Sequence, residues 1–318
     1  MTAGYFGACV RLGVIVFIVS ACSGTPTSNG EITASGGAGS ASGGGATTGG
    51  RASGGATTGG RATGGSPTGG TATGGSKAST GGSMTTGGAS AAGAQSAGAT
   101  IVPLYSYPTE SPWSAIVSAK LAHPSVTVIA IANVDNGPGT AVDSAFTSGI
   151  RALTTAGIVV IGYVYTSYGA RAAATVKAEI DAWRRFYPTL SGIFFDEESN
   201  TTGGDTYYRD LGTYVKSNGM TLTVGNPGTD TGSAYINALD VTFIYESAGL
   251  PSTTMLTNWH SRYPLKGVGV IPYAANFDLT WAQQARSAVG YIYVTNDDLP
   301  NPWDTLPSYF SNLLAALE

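Results

Sequence analysis

The chain has 318 residues, a formal net charge of −4 and a pI near 5.2, a balance that leaves no electrostatic footprint for nucleic acid. Forty-seven glycines are too many for one compact domain, and they are unevenly spread. The chain divides into three compositional zones, of which only the last can bury a core.

Residues 1–22 read as an export signal. Arg11 precedes an apolar run over residues 12–19 (LGVIVFIV), too short to span a bilayer as a stable helix and of the length of a signal-peptide h-region. The run ends in Val19-Ser-Ala-Cys22, which resembles the bacterial lipobox; it implies lipidation of Cys22 as the mature N-terminus. An ordinary secretory cleavage after Ala21 would use similar small residues. Cys9 falls inside the signal, so the mature chain keeps Cys22 alone and no internal disulfide is expected.

Residues 23–100 are almost entirely Gly, Ser, Thr and Ala, and the decamer beginning at Ala46 repeats at Ala56. Such a segment buries too little apolar surface to offset its ordering entropy. The expectation is a flexible tether with a root-mean-square span of roughly 50 Å.

From residue 101 a regular alternation begins, and residues 101–318 are expected to form one domain. Apolar strand-like runs fall at 101–105 (IVPLY), 126–134 (VTVIAIANV), 158–166 (IVVIGYVYT), 192–196 (GIFFD), 220–225 (MTLTVG), 241–246 (VTFIYE), 267–273 (GVGVIPY) and 290–295 (GYIYVT). Helical spacing follows each. Examples are Trp113, Ile116, Val117 and Leu121; Phe146, Ile150 and Leu153; Val176, Ile180, Trp183 and Tyr187; and Tyr207, Leu211 and Tyr214. A short helix is expected around residues 235–239 and another over 255–262. Alternation of this kind predicts an α/β fold with a parallel sheet, and eight units in this length predict a closed (β/α)8 TIM barrel. An open doubly wound sheet is the alternative, but no Gly-rich phosphate fingerprint follows the first strand.

In such a barrel the active face is assembled from residues just past each strand. Candidate substrate-binding residues there are Tyr105, Asn133, Tyr165, Asn226 and Tyr273. Candidate acids are Asp196, Glu197 and Glu198, which end the fourth strand in a chain only 11% charged, and Glu246, which closes the apolar strand Phe243-Ile-Tyr245. Neither histidine, His123 or His260, falls on this face, and both read as packing or surface residues. A zinc site lacks its usual ligands and a Ser-His-Asp triad lacks its base, so no metal and no cofactor are expected. Paired carboxylates with aromatic walls are the equipment of glycoside hydrolysis. Adjacent strand residues face opposite ways, so Asp196 and Glu197 can both serve the site only if the strand ends between them.

The runs Val102-Pro-Leu-Tyr-Ser-Tyr-Pro108, Asn136-Gly-Pro-Gly139, Gly162-Tyr-Val-Tyr165, Gly192-Ile-Phe-Phe-Asp-Glu197, Gly225-Asn-Pro-Gly228 and Tyr245-Glu246 together resemble the spherulin-4 family, whose characterised fungal relatives form glycoside hydrolase family 135. The resemblance implies a (β/α)8 barrel and endo-hydrolysis of an α-1,4-linked N-acetylgalactosamine- or galactosamine-containing exopolysaccharide. It places the family's acidic residues on Asp196, Glu197 and Glu246. A non-catalytic carbohydrate-binding or adhesion protein on the same barrel is the competing reading, since a fold does not fix a function. The expected partners are a polysaccharide and, through Cys22, a membrane at the cell surface or in the periplasm. Ser23 after the lipidated Cys favours an outer membrane. A monomer is expected.

Overall fold

The structure is a computed structural model, and it describes residues 98–318. The signal, Cys22 and most of the tether expected from the sequence lie outside the described residues.

Eight parallel strands close into a barrel in simple sequential order, β1 through β8. They are β1 (Ala99–Leu104), β2 (Thr127–Ala132), β3 (Val159–Tyr165), β4 (Gly192–Asp196), β5 (Leu222–Gly225), β6 (Val241–Tyr245), β7 (Val268–Val270) and β8 (Tyr291–Ile292). β1 begins at Ala99, slightly ahead of the expected boundary, and closes the ring through the pair Ala99 and Tyr291. The strands are buried on both faces, so they read as unbroken apolar runs.

Among the described residues seven α-helices form the outer layer: α1 (Ser111–Ala122), α2 (Ser144–Thr155), α3 (Ala173–Phe186), α4 (Asp205–Ser217), α5 (Thr253–Thr257), α6 (Leu279–Ala285) and α7 (Phe310–Leu317). Each long helix lays one stripe on the barrel, as α2 does with Phe146, Ile150 and Leu153 and α3 with Val176, Ile180 and Trp183. Asp143 caps α2 by accepting from the N–H groups of Ala145 at 2.7 Å and Phe146 at 3.2 Å. Gly162 lets the α3 helix come close: a Cβ there would lie 2.6 Å from the Trp183 ring, whose indole donates to the Tyr163 carbonyl at 2.7 Å.

Four expectations need correction. The buried stripe of α4 is Tyr208, Leu211 and Val215, one position round from Tyr207 and Tyr214, which stay partly buried. No helix joins β5 to β6; Asn237 adopts a left-handed φ of 81° and breaks the segment into turns. The helix over 255–262 is instead the short α5 followed by a 3-10 turn at Trp259–Arg262. β7 and β8 are shorter than expected. Pro272 has no N–H to give, although Tyr293 and Thr295 still donate to the carbonyls of Val270 and Pro272 at 3.1 Å.

Candidate active site

The C-terminal mouth of the barrel gathers a carboxylate cluster. Asp196 is the last residue of β4 and Glu246 follows the last residue of β6. Asn226 follows β5, between them. Its Nδ2 donates to Asp196 Oδ1 at 3.0 Å and to Glu246 Oε2 at 2.7 Å. Both oxygens share one nitrogen, so they stand no further apart than the sum of those two distances. The Asn226 Oδ1 accepts from the Gly228 N–H at 3.1 Å, which fixes which way the amide points.

Two further donors complete the cluster. Tyr163 Oη donates to Asp196 Oδ2 at 2.9 Å, and the Trp303 indole lies near enough to Glu246 to favour its anion. The Tyr163 ring packs edge-on against Tyr105, with centroids 5.5 Å apart.

Burial dominates the electrostatics. Both carboxyls keep some solvent exposure at the mouth, yet each is ringed by protein. Burial raises the Glu246 carboxyl to about 7, with the neighbouring Asp196 charge adding to it and the Asn226 and Trp303 donors opposing it. Burial also raises Asp196, against which Tyr163, the Glu197 N–H and Asn226 stabilise its anion. The two titrate as a pair. Asp196 has more donors aimed at its charge, so it carries the anion, and Glu246 carries the proton.

Glu197 settles the alternation problem. β4 ends at Asp196, and Glu197 turns at a left-handed φ of 50°. Burial and then the Asp196 charge raise the pKa of its carboxyl, and the nearby N–H and hydroxyl of Ser167, in the loop after β3, oppose them. Glu198 goes the other way. It is fully buried, neither oxygen meets a partner among the described residues, and burial lifts its carboxyl well above its ordinary range. Gly225 makes room for it, since a Cβ there would lie 2.1 Å from Glu198 Oε2.

Of the binding residues expected from the sequence, Asn226 and Tyr105 stand at the acids; Tyr105 feels the charges of both Asp196 and Glu246. Tyr273 lies on the Glu246 side, edge-on to Trp303 with centroids 6.2 Å apart. Asn133 is engaged in its own loop, where Oδ1 accepts from the Gly137 N–H at 3.0 Å. The Tyr165 ring is covered by the Arg171 guanidinium at 4.0 Å. No hydrogen bond links either residue to the carboxylates. Tyr163 and Trp303 were not expected. Tyr163 shares the phase of Tyr165 one layer deeper and reaches up to Asp196, so the strand phase carried a signal for it. Trp303 lies in a loop well past β8, where no pattern marks it. His260 is buried and bonds Asp230 at 2.7 Å, a packing role. Among the described residues no cluster of three His, Cys, Asp or Glu could hold a metal ion.

The arrangement defines a (β/α)8 barrel with a hydrogen-bonded carboxylate pair at its mouth. The model of Spherulation-specific family 4 matches residues 99–317. Spherulin-4 of Physarum polycephalum is 33% identical over 232 residues, covering 68% of this chain and 69% of that protein. The chain belongs to Spherulation-specific family 4. The crystal structure of Aspergillus clavatus Sph3 in complex with GalNAc superposes with a TM-score of 0.61 at 22% identity, covering 70% of this chain and 98% of that one. At that identity the likeness is one of fold.

Proposed function

We propose that the barrel is an endo-acting glycoside hydrolase whose catalytic pair is Asp196 and Glu246. The observation that carries this reading is the single Asn226 amide shared by the two carboxyls, which sets them at a spacing suited to double displacement. Bonds of 3.0 and 2.7 Å to one nitrogen hold those two oxygens closer than the roughly 6.5–9.5 Å that leaves room for an attacking water, a bound compatible with the ~5–5.5 Å of retaining pairs.

In this mechanism the Asp196 carboxylate attacks the anomeric carbon. The bond to the leaving sugar breaks, its electron pair goes to the glycosidic oxygen, and that oxygen takes the Glu246 proton. The Glu246 carboxylate then takes a proton from water as its oxygen displaces Asp196. Tyr163 and Asn226 stabilise Asp196 as the anion that attacks and later leaves.

The substrate in this proposal is an α-1,4-linked polymer containing N-acetylgalactosamine or galactosamine. The family resemblance and a relative solved with GalNAc support it. The Cys22 lipobox and the long Gly/Ser/Thr tether support anchoring of this domain to a membrane, with reach into a surrounding matrix.

The test is reducing-end release by the purified chain from N-acetylgalactosamine- and galactosamine-containing polymers, with Asp196→Asn and Glu246→Gln alongside. Release that both substitutions abolish supports the glycosidase. Tight polymer binding without release, in wild type and both variants alike, would favour a carbohydrate-binding protein instead.

A further inference from the structure

The loop after β3 carries three successive residues in the left-handed region: Ser167 at φ 49°, Tyr168 at 55° and Gly169 at 83°. Only the last is a glycine. For the other two the conformation is costly, and it persists only where surrounding contacts hold it. Here those contacts come from β4. Tyr168 donates its N–H to the Glu197 carbonyl at 2.7 Å, and Thr166 Oγ1 donates to the same carbonyl at 2.7 Å. Glu197 is itself left-handed, so two strained turns on neighbouring strands clasp one another side by side at the rim.

The product of that clasp is an exposed aromatic ring. Tyr168 is 58% exposed, although it is a large side chain on a rigid turn. It is not a ring facing empty solvent on a remote surface. Its N–H bond to the Glu197 carbonyl, one residue past Asp196, sets it at the lip of the same mouth, and partial burial followed by the charges of Glu197, Asp196 and Glu246 raises its phenol. No other aromatic among the described residues combines this exposure with this position. Tyr105 is largely covered, the Tyr165 face is taken by Arg171, and Tyr107, 44% exposed, is tied to Asp143 at 3.1 Å.

We propose that Tyr168 is a sugar-stacking platform at the lip of the cleft, held there by the backbone of the turns that follow β3 and β4. The ligand is a pyranose ring of the polymer next to the cleaved linkage, lying flat on the phenol face. An apolar sugar face on an aromatic ring buries area without needing a charge, and the clasp spares the entropy of ordering the ring at binding. The proposal rests on the glycan-cleft reading above.

The test uses the whole chain with a soluble α-1,4-linked N-acetylgalactosamine oligosaccharide. Hydrolysis is followed by reducing ends, and binding by calorimetry in an Asp196→Asn background. Tyr168→Ala should raise KM and Kd about tenfold while kcat changes little, and Tyr168→Phe should behave as wild type. Unchanged KM and Kd in Tyr168→Ala would overturn the platform and leave the glycosidase reading standing. Neither hydrolysis nor binding by wild type would overturn the glycan-cleft reading, and the platform with it.

Discussion

Asn226 donates to Glu246 at 2.7 Å through the same amide nitrogen that donates to Asp196 at 3.0 Å. A side chain with two N–H donors and no charge is the means by which two acids can sit this close in a buried mouth. The amide lowers the pKa of both carboxyls against the burial that raises them. Asn226→Asp keeps the shape but replaces the donors with a third acid. Both carboxyls should then rise further, and both limbs of the pH–rate profile should move to higher pH. A charge-assisted bond is worth about 1.5–3 kcal/mol, so kcat should fall about 10- to 100-fold at the wild-type optimum. The measurement is kcat against pH; a profile that falls in height without moving would deny Asn226 this electrostatic role.

Glu246 sets the upper limb of activity. Its carboxyl lies at about 7, and the proposed mechanism requires it protonated in the first step. The rate should therefore decline as pH rises through about 7. Glu246→Gln should reduce polymer cleavage by roughly 10²–10⁴-fold, the usual span for general acid–base catalysis. The first-turnover burst of phenolate from an aryl glycoside, whose leaving group needs no proton, should lose much less, although the second step still lacks its base. Equal losses in polymer cleavage and in that burst would remove Glu246 from the acid role.

Tyr163 acts on the opposite limb. Its hydroxyl donates to Asp196 at 2.9 Å and lowers that carboxyl, so Tyr163→Phe lets Asp196 rise. Less of it is ionised at acidic pH, and the nucleophile is lost there first. Activity should fall about tenfold on the acid side, the worth of one hydrogen bond to a charged group, and recover toward wild type as pH rises. The phenylalanine ring keeps the packing against Tyr105 and Phe194. A uniform loss at all pH values would point to a packing defect instead.

The barrel was legible because its strands are buried on both faces and therefore written as apolar runs, each followed by residues at helical spacing. Asp196 and Glu246 were legible for a related reason: each is a charge ending an apolar run, where packing gives it no purpose. Asn226 stood out by the same rule of position. What escaped was set by backbone turns and side-chain reach. Nothing in Asp196-Glu-Glu198 states that Glu197 takes a left-handed φ, and that one dihedral sends three neighbouring acids to three destinations. Tyr163 lies short of the strand end, so a rule that reads strand ends passes over it, while its long side chain spans the missing layer. The absent helix between β5 and β6 turns on Asn237, a residue that tolerates the left-handed region but does not announce it.

Glu198 links the site to stability. It is fully buried beneath the mouth, its N–H donates to the Asn226 carbonyl at 2.8 Å, and neither carboxyl oxygen has a partner among the described residues. Burial raises its folded pKa well above its ordinary 4.5. The folded chain thus binds a proton that the unfolded chain releases above about pH 4.5. Folding stability from this group is fully present below that pH and is lost as pH rises toward the folded pKa. Glu198→Gln copies the shape of the protonated acid and cannot ionise. The variant should melt near the wild type at pH 4 and above it at pH 8, the gap widening with pH. The gap should widen by about 1.4 kcal/mol for each pH unit over which the fold keeps Glu198 protonated and the unfolded chain does not, at about 2–4 °C per kcal/mol for a domain of this size. Thermal unfolding of both chains across that pH range is the measurement. A melting difference that stays constant with pH would mean that Glu198 keeps its charge in the fold.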